Sequence, residues 1–219
     1  MTQVVRMLIA NALTAEFRAF EEALQSCPAK RFAERPSYGH TAAWHALHVM
    51  DWTRCMIQPG LNGVNPDLTY SFLGFENQSW AQAATGPTLA QEQDGKDVIL
   101  VAVQNTFAEA LAAIRDAPDE RFSSDAVWKA INKPRPVLER LMYHVTHTAY
   151  HRGQTRQVIN QVNSLALRLA DPSRPKFGNS WLQTRRRQGS PINISGGPTV
   201  EQTIREDRGH LSYRFGKIP

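Results

Sequence analysis

The stretch LMYHVTHTAYHRGQ, residues 141–154, places three of the chain's seven histidines within eight positions: His144, His147 and His151. Spacings of three and four are helix spacings, and at about 100° per residue the three imidazoles fall within a sector of about 60° on one face. His147 and His151 form the i, i+4 pair that lets two neutral imidazoles share one ion. A metal site, an acid–base pair and a chance cluster on a solvated helix all fit this spacing. A metal would need a further ligand from another element. The stretch TAAWHALHVMDW, residues 41–52, supplies the candidates His45 and His48. His48 shares its face with Trp44, Trp52 and Cys55, an inward and largely apolar surface. A lone histidine there is ordinarily a core residue; a facing histidine pair makes it a ligand candidate.

Other chemistries lack their residues. HTAYH has Thr148 where HExxH carries its glutamate, so the general base of a metalloprotease is missing. No GxSxG, Walker loop or GxGxxG occurs. The two cysteines, Cys27 and Cys55, stand far apart and in no CxxC pattern, which excludes a cysteine zinc cluster and fits a reducing cytosol. Three further residues suit a histidine site. Asp51, three residues after His48, is placed to orient a ligand imidazole or to act as a base. Tyr143 and Gln154 flank the histidine face, where each suits a bond to an imidazole or a substrate.

Four helices are expected to carry these residues. Ile9, Leu13, Phe17, Phe20 and Leu24 recur at helical steps until Pro28. A second helix is expected from Thr41, its N-cap, to about Ile57. Residues 58–88 are turn-rich, with Gly60, Gly63, Pro66 and Gly74, and read as a long crossover holding one short helix. Leu100, Val103, Phe107, Leu111 and Ile114 stripe a third helix. After a connection containing Pro118 and INKPRP, the fourth helix runs from near Pro136 to about Leu167. With no alternating strand pattern, the fold class is all-α: a four-helix bundle over residues 1–170 followed by an irregular extension, 171–219. On the fourth helix Leu138, Leu141, Met142, Val145 and Ala149 form an apolar stripe roughly opposite the histidines. If the histidines face inward this stripe needs a cover, and a homodimer is the expected one.

Charge separates the same two regions. From residue 172 onward there are nine Lys or Arg against three acidic residues, which leaves the first 171 with 16 basic and 17 acidic. The tail mixes Arg185–Arg187 with Phe177, Trp181, Tyr213 and Phe215, and TVEQTIRE within it has the pattern of one short helix. Such a composition suits a clasp onto the bundle or a partner subunit, in preference to a nucleic-acid element. The N-terminus has no signal-peptide pattern, since Arg6, Asn11 and Glu16 interrupt it, and no stretch approaches the ~18 apolar residues of a membrane span. A cytoplasmic protein is expected.

The histidine segments resemble a family. LMYHVTHTAYHRGQ is similar to the last-helix motif of the DinB/YfiT-like proteins, bacterial four-helix proteins regarded as metalloenzymes, in which a His-x3-His run is followed by Arg-Gly-Gln. Here these are His147, His151, Arg152, Gly153 and Gln154. The family's third ligand is a histidine of the second helix; His48 is the better fit, with His45 in reserve. His144 occupies a place where the family often has a histidine that is not a ligand, so His45, His144 and Gln154 are expected around the ligands and not among them. The resemblance spans residues 1–167, and the tail has no counterpart in it. It implies a divalent metal, nickel or zinc, held by His48, His147 and His151, with Asp51 and Tyr143 as candidate catalytic groups. Family members include S-transferases using bacillithiol or mycothiol and a mycothiol-dependent maleylpyruvate isomerase. The expected function is therefore activation of a low-molecular-weight thiol or of water, for S-transfer to a small molecule or for its hydrolysis. The competing class is a non-catalytic metal-binding or interaction protein that contacts partners, nucleic acid among them, through its tail.

Overall fold

The structure is a computed structural model that describes residues 2–79, 81–129 and 134–170. The chain divides into two units, Met1–Pro172 and Ser173–Pro219. The expectations for the tail, including its aromatic residues, Arg185–Arg187 and the short helix, lie outside the described residues.

The first unit is built on helices α1 (Thr2–Gln25), α2 (Ala42–Met56), α3 (Lys96–Asp116) and α4 (Val137–Ala170). Each begins or ends where side-chain chemistry requires it. Thr41 caps α2 by accepting a hydrogen bond from the Trp44 amide at 2.9 Å. Pro28 follows the end of α1, and Pro134 and Pro136 precede α4. Lys96 at the start of α3 closes the end of α1 by donating to the Gln25 and Cys27 carbonyls at 2.7 and 2.6 Å. The expected stripes face the core. Leu13, Phe17, Phe20 and Leu24 of α1 pack with Ile99, Val103, Phe107 and Ile114 of α3, and all are buried. Phe17 and Phe107 stack with centroids 3.9 Å apart, and each ring so buried contributes about 1.5–3 kcal/mol.

Pair contacts give the helix directions. Gln104 meets Glu21 and Arg6 meets Ala117, so α1 and α3 are antiparallel. His45, His48 and Thr53 meet His151, His147 and His144, so α2 and α4 are antiparallel. Arg152 meets Glu16 and Arg31 meets the Val162 carbonyl, so α1 and α4 run the same way. The order is therefore up, down, down, up, and the parallel step from α2 to α3 needs the long crossover.

Among the described residues of 58–88 the crossover holds two single-turn 3-10 helices, Pro59–Leu61 and Gln82–Ala84, where one short helix is expected, and a third, Glu92–Asp94, precedes α3. The second connection differs from expectation: β1 (Val127–Lys129) pairs antiparallel with β2 (Pro134–Pro136), with Trp128 opposite Arg135. A two-proline strand carries no periodic signal and is tolerated because it stands at a sheet edge. Gly63 sits against this pair. A Cβ there would come within 2.5 Å of the Lys129 carbonyl oxygen, so only glycine lets the crossover approach so closely.

Two readings need correction. Leu141 is 1% exposed and lies on the same face of α4 as His144 and Thr148, three and seven residues on. The stripe through Leu141 is thus no second face: Leu138 and Val145 pack at the core margin, and Met142 alone of its large residues is exposed. In α3, one 18-residue window reaches a mean hydropathy of 1.5, enough by length and composition for a membrane span. Its Ile99, Val103, Phe107 and Ile114 instead fill the bundle core.

Candidate metal centre

The histidines of α4 face α2. Val137, Leu141, His144, Thr148, His151, Thr155, Val158 and Val162 recur at steps of three and four and are all buried, so the histidines belong to the packing face of the helix. On α2 nearly every residue from Ala42 to Met56 is buried, because the bundle covers one side and the crossover the other. His45 and His48 therefore enter the seam between the two helices.

Ring nitrogens of His48, His147 and His151 all lie within 4.8 Å of one another. His48 Nε2 is 3.2 Å from His147 Nε2. His48 and His151 are buried, whereas His147 is half-buried, so the cluster has an inner and an outer side. The donor set fits a divalent ion, and the tautomers agree. His48 Nδ1–H donates to the Phe72 carbonyl at 2.6 Å, which leaves Nε2 with a free lone pair aimed into the cluster. His151 Nδ1 is 3.1 Å from His45 Nδ1. If His151 coordinates through Nε2, its Nδ1–H donates to His45, which then carries its own proton on Nε2.

Burial keeps all these rings neutral, the form that binds metal. It pushes His45 down to about 3, with the nearby His40 adding to the effect. His144 is pushed to about 3, by burial and then by His147, and His147 to about 4 by burial. His48 and His151 are held well below 6.5, by burial first and by the neighbouring imidazoles second. Several like charges cannot share one apolar seam, so protons are excluded where a dication with neutral ligands is not.

The other expected residues take distinct places. His144 stands outside the triad: it is fully buried, meets Phe17 edge-on with centroids 6.0 Å apart, and donates through Nε2–H to Thr53 Oγ1 at 2.8 Å, because that hydroxyl's own proton goes to the Val49 carbonyl. Tyr143 lies over His147 at 5.8 Å between centroids, with Arg140 over its own ring. Gln154 donates to Tyr150 Oη at 2.7 Å, and Tyr150 touches His151 edge-on, so Gln154 reaches the cluster only through Tyr150. Arg152 pairs with Glu16 at 3.0 Å, joining α4 to α1. Asp51 is held by the crossover. Its carboxylate is 0% exposed and takes two donors on each oxygen: Ser71 N and Phe72 N on Oδ2, Arg54 and Thr88 on Oδ1. A carboxylate so committed supports the crossover.

Two contributors had no sequence signal or a weak one. Phe72 acts through its backbone oxygen, which any residue could supply. Trp44 stacks on His48 at 4.4 Å and on His40 at 3.6 Å; its place one turn before His48 was the available hint. Gly74 turns the crossover at φ +79°, with His48 Cε1 3.7 Å from where a Cβ would stand.

The family model of the DinB superfamily matches residues 12–155, a span that runs from α1 through the histidines of α4. No curated protein and no solved structure matches the chain.

Proposed function

The chain belongs to the DinB superfamily, and from that premise we propose that it is a divalent-metal-dependent enzyme that activates a low-molecular-weight thiol or a water for S-transfer to a small molecule or for its hydrolysis. His48, His147 and His151 would hold the ion, nickel or zinc, in a cytoplasmic protein. When bound, a dication with neutral ligands and open coordination positions favours the deprotonated form of a thiol or of water, which for water on zinc brings the pKa to about 7.

The observation that carries this reading is the asymmetry of the cluster: His48 and His151 are buried residues, whereas His147 is only partly buried. A site built only for structure is closed, whereas a reacting site keeps one side for substrate. The chain's own residues have separable tasks. Phe72 O and His45 fix the tautomers of His48 and His151. Trp44 and Trp52, which touch His48 and His147, keep water from the inner side and present apolar walls to a small molecule. Tyr143, beside His147 on the outer side, is the group assigned to hold or donate a substrate proton.

The test is a turnover screen with the full chain loaded with zinc or nickel, offered low-molecular-weight thiols together with electrophilic small molecules, and separately hydrolysable esters and amides. The reading expects metal-dependent product in one of the two sets, lost in His151→Ala and reduced in Tyr143→Phe. A chain that holds its metal and turns over neither set would contradict the enzyme reading and leave a metal-binding protein.

A further inference from the structure

Asp51 poses a problem that support of a loop alone does not answer. Burying a carboxylate without compensation costs several kcal/mol, and a loop can be held by neutral groups at less cost. The compensation is complete here. Ser71 N and Phe72 N donate to Oδ2 at 2.9 and 3.0 Å. Arg54 Nη1 donates to Oδ1 at 2.9 Å, and the Thr88 hydroxyl donates to the same oxygen. Arg54 also donates to Thr88 Oγ1 at 2.9 Å and to the Thr69 carbonyl at 3.3 Å. One buried ion pair thus gathers residues 69–72 and 88, the two ends of a loop that is also closed on itself by Tyr70 N to Ala84 O and Gly86 N to Tyr70 O.

What the loop presents after being gathered is the Phe72 carbonyl. The residue before it and its own amide are pinned by Asp51. The residue after it is pinned by Trp52, whose Nε1–H donates to the Leu73 carbonyl at 3.1 Å. Between these two anchors Phe72 O accepts the His48 Nδ1–H at 2.6 Å. All three α2 side chains involved, His48, Asp51 and Trp52, lie within two turns. The helix therefore uses Asp51 and Trp52 to set the acceptor that orients its own His48.

We propose that Asp51 is a positioning residue of the metal centre: by holding the Ser71 and Phe72 amides it places the Phe72 carbonyl that fixes the tautomer and direction of His48. This rests on the three-histidine metal reading and adds to it a route from α2 through the crossover and back. The carboxylate is specific to the task. It alone among side chains of its size accepts two backbone N–H groups on one oxygen and two further donors on the other. An asparagine would turn its NH2 group against donors on one side.

The experiment uses cobalt(II) as probe on the full chain, with affinity read by competition titration and ligand geometry by visible absorption. Asp51→Asn, folded by circular dichroism, is expected to bind cobalt about 10–100-fold more weakly than the wild type, with an altered absorption band. In a His48→Ala background the same substitution is expected to change the residual affinity by less than about twofold, because no His48 remains to be positioned. A folded Asp51→Asn chain with lowered stability but wild-type affinity and spectrum would overturn the proposal, leaving Asp51 a loop anchor. Equal weakening in both backgrounds would overturn it too. If Asp51→Asn does not fold, Thr88→Val keeps the carboxylate and removes one donor; a few-fold weakening supports the route and unchanged binding contradicts it. A wild-type chain that takes up no cobalt removes the metal reading itself, and this inference with it, whereas wild-type uptake with an indifferent Asp51→Asn removes this inference alone.

Discussion

Two seams of the same bundle are built in opposite ways. Between α1 and α3 the contact is made by rings without polar atoms: Phe17 flat on Phe107, with Phe20 tilted against it at 6.4 Å. Between α2 and α4 the contact is made by imidazoles and hydroxyls: His45 with His151, His48 with His147, Thr53 with His144. The seams touch where Phe17 meets His144. An apolar seam needs only shape and volume. A polar seam of equal burial must find a partner for each N–H and each lone pair, or leave the group unsatisfied at a cost of about 1–3 kcal/mol. A chain under selection for stability alone would build both seams from phenylalanine and leucine. The polar one is therefore where function is to be sought.

The comparison can be broken most sharply by deleting one member of each seam. His147→Ala is expected to reduce metal retention from stoichiometric to background while the helical circular dichroism stays, because apolar burial and not the ion dominates the stability of a chain this long. Loss of helicity on chelation would show the ion to be structural. Phe107→Ala is expected to cost about 3–5 kcal/mol in denaturant unfolding, through the lost ring and the cavity left beside Phe17, with metal content per folded chain unchanged.

Acid should separate the seams without any mutation. His45 and His144 are pushed down to about 3 and His147 to about 4 from 6.5, so on acidification the unfolded chain takes up protons that the folded chain refuses. For the metal-free protein the histidine contribution is complete above pH 6.5 and is lost progressively as pH falls from there toward 4. The slope is up to about 1.4 kcal/mol per pH unit for each such histidine. Phe107→Ala should lower the whole curve and leave that slope intact; a flat stability curve between these limits would contradict the burial of neutral imidazoles. Thr53→Val is expected to cost about 1–3 kcal/mol, since His144 Nε2–H is then left buried without an acceptor. Arg152→Ala, which breaks a half-buried pair with Glu16, should cost only about 0.2–1 kcal/mol.

The two seams were unequally legible in the sequence. Steps of three and four from Ile9 to Leu24 and from Leu100 to Ile114 announced the apolar seam, because burial of large side chains imposes period and nothing else. On α4 the same logic misled. Met142 and Ala149 extended a stripe through Leu138 and Val145, while the buried face around the histidines is carried by Leu141, His144, Thr148, His151 and Thr155, four of the five polar. A polar packing face has no hydrophobic period to read. Spacing picked out His147 and His151 as a pair; His48 was a candidate beside His45, and the preference for it came from the family resemblance and not from its apolar surroundings. The support around them could not be read, because it comes from a turn-rich crossover and in part from backbone: the Phe72 carbonyl, the Ser71 and Phe72 amides, the Leu73 carbonyl. Arg54, three residues after Asp51 on α2, was the one hint that a buried charge was being compensated.

The central claim is that the α2–α4 seam holds one divalent ion on His48, His147 and His151. It is tested most directly by X-ray absorption of the full chain, purified without a nickel column and loaded with one equivalent of zinc. Stoichiometric uptake and the scattering signature of three imidazoles at about 2.0–2.1 Å are expected, with the count falling to two in the weakly held residual zinc of His48→Ala. No stoichiometric uptake, or a zinc shell whose imidazole count is unchanged in His48→Ala, would contradict it.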